Sequence, residues 1–302
     1  MVEVRNPEAA RLIWNTLSNE SSQPTEVFEH LLKAYFADSV SRHSPPSESR
    51  IDKNLIQHAI KATQPFIDSK EEKQQITALL VLNNLDPKLA KEKSDTIFKT
   101  SKSIKVRDLA FRIMLKKVKD RAVAFLDTEE AWQYKIALRY LALGEDSLNR
   151  SDNMEEYAYL GSRTYYYGGN NDDVKVKVPK PPKGMTLKHL KPEGFELDES
   201  TNAIATYYRA LFDKETKLKP LLDYFKKNQS EEIAKLVYEA IASVNADEKI
   251  PIVEKIYLKH GEHDTYFSAN LYWTIRVMDG RNAIKLRKKI RDEVGMDDLK
   301  NY

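Results

Sequence analysis

Five consecutive residues, His260-Gly261-Glu262-His263-Asp264, put two imidazoles and two carboxylates into one short loop. Such groups are donors for zinc and other divalent ions. His260, His263 and Asp264 are therefore candidate ligands, and a metal-dependent hydrolase is one of three functional readings. The same residues also suit a joint between two helices: a histidine in a last turn, a glycine after it, and an aspartate capping the next helix. His30, His43, His58 and His189 show no ligand spacing.

A second constellation is cationic. Between Asp86 and Arg121 stand 12 Lys or Arg against 5 Asp or Glu. On a helix expected over 103–118, Lys105, Arg112, Lys116 and Lys119 project in nearly one direction, beside an apolar set of Val106, Leu109, Ala110 and Ile113. These four are the candidate phosphate or anion contacts, since Lys and Arg on a nucleic acid release counterions. Two further runs, 175–191 and 281–291, each hold six bases and no acid. Against a nucleic-acid surface stands the overall balance of 49 bases and 46 acids, a net charge of only +3.

Tyrosine clusters beside the first of those runs. Tyr165, Tyr166 and Tyr167, with Lys175, Lys177, Lys180 and Lys183, are the candidate partner-binding residues. Tyrosine supplies broad, fairly rigid contact area with a polar tip, and an aromatic beside lysines can also stack on a base. Packing of the same rings within the molecule is the alternative. Trp14, Trp132 and Trp273 fall on expected helices and read as core.

Known catalytic templates do not match. The chain lacks G-x-S-x-G, the phosphate-binding G-x-x-x-x-G-K-[ST], the dinucleotide G-x-G-x-x-G and the zinc motif H-E-x-x-H. With no cysteine, thiolate zinc sites, iron–sulfur ligation and disulfides are excluded. No catalytic residue and no cofactor is assigned. The N-terminus lacks the apolar core of a signal peptide, and no run approaches the ~18 apolar residues of a membrane span. A cytoplasmic, soluble protein is the expectation.

The elements that must position these residues read as helices. Only 9 glycines in 302 residues leave little material for strand turns or phosphate loops. Asp86-Pro87 sets an N-cap before a first-turn proline. Ser69-Lys70-Glu71-Glu72 fits a capping box in which Ser69 accepts from the amide of position 72 and Glu72 reaches back. Gly144, Gly261, Gly280 and Gly295 each follow an expected helix, where a left-handed residue closes the last turn. The spacing predicts helices over 7–19, 25–40, 51–68, 70–84, 87–101, 103–118 and 128–143, then over 200–213, 217–228, 230–244, 247–260, 264–279 and 282–294.

Between the two groups the pattern changes. Val174-Lys175-Val176-Lys177-Val178 alternates with period two after a glycine- and asparagine-rich turn, so 164–178 is expected to form a β-hairpin. A Pro- and Lys-rich stretch follows it. The expected organisation is N-terminal helices over 1–143, an irregular insertion over 144–199, and C-terminal helices over 200–302.

Consecutive helices joined by short loops must pack antiparallel, and stacked pairs make an α-solenoid. Ser103-Ile104-Lys105-Val106-Arg107-Asp108-Leu109-Ala110 resembles the second helix of a HEAT repeat, and 264–271 echoes it more loosely. The tetratricopeptide signature is not visible. The resemblance covers about two-thirds of the chain and nothing of 144–199. It implies a HEAT-like solenoid with another protein or peptide as partner and a scaffold role, and with the hairpin read from the alternation the expected fold is an all-α solenoid carrying a β-hairpin insertion. Some HEAT-like proteins are DNA glycosylases, which makes nucleic acid the alternative partner, although their aromatic and aspartate constellation has no counterpart here.

Overall fold

In a computed structural model of the chain the residues described are 60–61, 63–116, 118–149, 179–190, 196–214, 217–261 and 264–300. Among them every regular element is helical and none is a strand. The hairpin expected over 164–178 and the helices over 7–19 and 25–40 lie outside these residues. So do Tyr165, Tyr166, Tyr167, Lys175, Lys177, His263 and Trp14. The described residues fall into two compact units, the first within 1–118 and 148–163, the second within 119–147 and 164–302.

In the first unit α1 (Glu72–Leu85), α2 (Pro87–Thr100) and α3 (Ile104–Leu115) all pack on one another. Asp86 caps α2 by accepting from the Leu89 amide at 3.0 Å, with Pro87 at the first helical position. Ser103 caps α3 by accepting from the Val106 amide at 3.2 Å. The expected box at 69–72 does not form. Ser69 Oγ accepts from the Glu71 amide at 3.1 Å, and the Glu72 carboxylate instead receives the Ser103 hydroxyl at 2.6 Å. An acid beside two adjoining helix N-termini meets both dipoles, which outweighs closing the local box.

Helix α3 also ends earlier than its expected 118. Lys116 turns extended (ψ 127°), and its carbonyl accepts from Lys91 Nζ at 2.8 Å rather than from a helical amide. Leu79, Leu82, Leu109, Phe111 and Leu115 are fully buried in this unit, and Phe111 stacks on Phe98 with ring centres 5.4 Å apart. Each such side chain contributes about 1.5–3 kcal/mol of transfer free energy.

The second unit begins with the short α4 (Lys119–Ala124), which the spacing did not predict, and α5 (Ala131–Leu143). It continues through α6 (Glu199–Asp213), α7 (Lys219–Lys227), α8 (Glu231–Ser243), α9 (Ile250–His260), α10 (Thr265–Ile275), α11 (Arg281–Val294) and α12 (Met296–Lys300). From α6 onward each helix packs on the next, with α6 also on α8, α8 on α10, α9 on α11 and α10 on α12. Contacts between alternate helices advance in step. Tyr207 meets Glu239 and Ala210 meets Ser243; Glu254 meets Lys289 and Tyr257 meets Glu293. Thus α6 and α8 run in the same direction, as do α9 and α11.

Caps again explain where helices start. Asp198, Ser230 and Asp264 each accept from the amide three residues on, at 2.8, 3.4 and 2.9 Å. Helix α11 is capped from a distance: Asp247 accepts from the amides of Asn282 at 3.1 Å and Ala283 at 2.9 Å. Gly280 is therefore the N-cap of α11 with φ −65°, not a left-handed C′ residue, and a Cβ there would overlap the Asp247 carboxylate. Gly261 is likewise right-handed, with the Tyr257 ring where its Cβ would be. Gly144 and Gly295 do take positive φ, 78° and 90°, and close α5 and α11 as expected.

Candidate binding faces

The metal candidates sit in a helix joint. His260 ends α9 with its ring 5.9 Å from that of Phe267, and its Nε2 is buried without a hydrogen-bond partner. Asp264 Oδ1 accepts from the Phe267 amide at 2.9 Å, and Gly261 O receives the Ser268 hydroxyl at 2.6 Å. The His260 ring thus packs near Phe267 and the Asp264 carboxylate caps α10, while His263, the third candidate, lies outside the described residues. Among the described residues no three His, Asp or Glu gather so as to hold a metal ion.

The stripe expected on 103–118 is not one face. Lys105 is half-buried and stands 3.7 Å from Glu72. Arg112 is 3% exposed and pairs through Nε with the fully buried Asp108, while its Nη1 donates to Leu148 O at 3.2 Å. A buried guanidinium needs such partners, because unpaired burial of a charge costs several kcal/mol. It cannot also reach a phosphate in solvent. Lys116 is the C-cap of α3 and Lys119 begins α4, so the helical offsets that aligned the four residues do not continue past Leu115.

Of the insertion expected over 144–199, the described residues 179–190 pack within the second unit, whereas Leu148 is buried in the first. Met185 and Leu190 are buried, Tyr134 donates to His189 O at 2.7 Å, and Arg209 donates to Leu190 O at 2.6 Å. Burial pushes the Tyr134 phenol up to about 12. His189 is also buried. Its Nδ1 accepts from the Thr186 amide at 2.9 Å, and its Nε2 lies 3.2 Å from Asp127 Oδ1. With both ring nitrogens engaged, the imidazole holds the segment in place. Lys180 and Lys183 remain exposed on this stretch.

Charge is divided between alternate helices of the second unit. Helices α7, α9 and α11 together carry +7, whereas α6, α8, α10 and α12 together carry −4. Their burial differs too. Helix α8 buries ten of its thirteen residues, including Glu239; α11 buries only Ala283, Leu286 and Ile290 of fourteen. Glu239 accepts from the Tyr207 hydroxyl at 2.7 Å, and Lys235 stands 3.9 Å away. Burial raises the Glu239 pKa, opposed by Lys235 and the Tyr207 bond. Burial and the Glu239 charge in turn raise those of Tyr207, Tyr208 and Tyr238.

On α11 the run of six bases noticed in the sequence separates into two kinds. Arg287 donates to the carbonyls of Ile275 at 2.8 Å and Met278 at 2.6 Å, closing α10, while Lys289 approaches Glu254 at 3.7 Å and Arg291 lies 3.6 Å from Asp292. Arg281, Lys285 and Lys288 stay exposed on the side away from the buried Ala283, Leu286 and Ile290. Helix α9 adds Lys255, Leu258 and Lys259, a contribution missed in the sequence although the turn-spaced polar face signals it. Trp132 and Trp273 are half-buried rather than core, because each indole N–H reaches an acceptor, Glu130 at 2.6 Å and Leu299 O at 2.8 Å. No family model matches the chain, and no curated protein or solved structure matches it either.

Proposed function

We propose that the chain is a non-enzymatic interaction or scaffold protein, an α-solenoid of HEAT-like helix pairs that offers a partner one of its helical faces. The observation that carries this reading is the regular separation of contacts between alternate helices. Tyr207 and Glu239 are 32 residues apart, Ala210 and Ser243 are 33, and Tyr257 and Glu293 are 36. A stack in which each unit touches only its neighbours has this property. The period is shorter than the ~40–47 residues of HEAT repeats and close to that of other helix-pair arrays, so the likeness lies in the manner of stacking.

Charge and exposure support a binding role for one set of helices. The set that buries fewer residues carries the positive charge, and extended surfaces of repeat stacks are their usual binding surfaces. The same charge supports nucleic acid as the second reading. Affinity capture with the full chain, before and after nuclease treatment, separates the two. A defined protein retained at a fixed ratio after nuclease supports the scaffold; capture abolished by nuclease moves the function to nucleic acid.

A further inference from the structure

Helices α9 and α11 are neighbours, and each keeps a row of cationic and apolar side chains exposed. The two helices lie side by side through Glu254 with Lys289 and through the Tyr257 hydroxyl with Glu293, and Lys289 Nζ stands 5.9 Å from the centre of the Tyr257 ring. On α11 the buried residues Ala283, Leu286 and Ile290 turn Arg281, Ile284, Lys285 and Lys288 outward; on α9, Ile250, Val253 and Ile256 do the same for Lys255, Leu258 and Lys259. We propose that this surface docks an acidic protein segment that carries apolar side chains between its carboxylates. The proposal rests on the scaffold reading and gives it a partner chemistry.

Three observations select that occupant. First, Arg281, Lys285 and Lys288 have no ion-pair partner among the described residues, so their field is available to a carboxylate-rich chain. Second, they recur at steps of four and three residues, the spacing at which a helical segment also presents its own carboxylates on one side. Third, Ile284, 51% exposed, lies on the same side of α11 as these cations, and Leu258, 44% exposed, lies between Lys255 and Lys259 on α9. Phosphates gain nothing from such neighbours, whereas the apolar anchors of a protein segment bury against them. The outward-facing residues of α9 and α11 include no aromatic ring on which a base would stack.

Fluorescence anisotropy with the full chain tests this. The probes are a labelled peptide of about 16 residues repeating Glu-Leu-Asp-Glu, a polyglutamate of equal length, and a single-stranded DNA of equal length, at about 50 mM and 200 mM salt. The leucine-containing peptide is expected to bind at least about fivefold more tightly than polyglutamate, and Ile284→Ser to remove most of that difference. Lys285→Glu with Lys288→Glu is expected to weaken it by about tenfold or more, with Lys285→Gln and Lys288→Gln intermediate and helicity unchanged.

Peptide binding that ignores the charge reversal, or no peptide binding at all, overturns the proposal. DNA that binds more tightly than the peptide and is indifferent to Ile284→Ser overturns it in favour of a phosphate surface. Capture of a nuclease-resistant protein partner that persists in the charge-reversed chain removes this docking face while leaving the scaffold reading standing.

Discussion

Helices α8 and α11 are of similar length, thirteen and fourteen residues, and belong to one unit, yet they solve opposite problems. Helix α8 is surrounded by α6, α7, α9 and α10, so nearly all its side chains must be apolar or satisfied internally. Its one deeply placed carboxylate, Glu239, is admitted because the Tyr207 hydroxyl bonds it. Helix α11 has a narrow apolar stripe, and the rest of its circumference is free to carry charge. The difference teaches that burial and charge are assigned helix by helix: one alternate set builds the core, the other faces outward.

The largest way to break this comparison is a truncation in each helix. Ile241 on α8 is fully buried, so Ile241→Ala is expected to cost about 2–5 kcal/mol. Ile284→Ala on α11 is expected to stay within about 0.5 kcal/mol. Denaturant unfolding read on the second unit measures both. Equal losses would mean that α11 is covered in solution by something on its outer side.

The joint between the sets comes next. Asp247 caps α11 from 35 residues away, so Asp247→Ala is expected to lower stability by about 1 kcal/mol. Gly280→Ala is expected to lower it by about the same or slightly more, because its methyl group displaces the capping carboxylate. The two losses should not add, since they remove the same bonds. A double variant as unstable as the sum would show that Gly280 serves another purpose.

Glu239 sharpens the comparison through pH. Its pKa is raised by burial, so the folded state holds that proton more tightly than the unfolded chain does. The contribution is fully present below the unfolded value, about 4.3, and is lost as pH rises through the higher folded value. Glu239→Gln cannot ionise. The variant is expected to match the parent near pH 4 and to be the more stable one at neutral pH in thermal melts. Asp198 behaves oppositely. Burial works against its carboxylate, but Thr201, Lys135 and Arg139 outweigh it and hold the pKa below the usual value. Its contribution is present above the unfolded value and is lost as pH falls through the folded one, so Asp198→Asn should narrow the gap to the parent in acid. The smallest effect is reserved for Lys285→Glu with Lys288→Glu, expected to change stability by no more than about 0.5 kcal/mol.

Much of this was legible in the sequence where the physics is local. Asp86-Pro87, Ser103, Ser230 and Asp264 cap helices where the spacing predicts them, because an N-cap needs only its own next three residues. What failed was non-local. Local spacing reads Gly280 as a helix end because its partner, Asp247, lies 35 residues away. The local pattern pairs Glu72 with Ser69, because Ser103 is distant in the chain. Helical spacing puts Arg112 on a cationic face, but the buried side of α3 is wide enough to include it, paired with Asp108. The basic run 281–291 was visible, but its division between structural and exposed bases depends on α9 and α10, which no periodicity reveals.

Hydrogen-exchange footprinting of the full chain, with and without the Glu-Leu-Asp-Glu peptide, tests the central claim most directly. The division of labour predicts added protection on α9 and α11 together, none on α6 or α8, and its loss on charge reversal at Lys285 and Lys288. Protection that falls on α6 and α8, or that is spread evenly over the second unit, would contradict it.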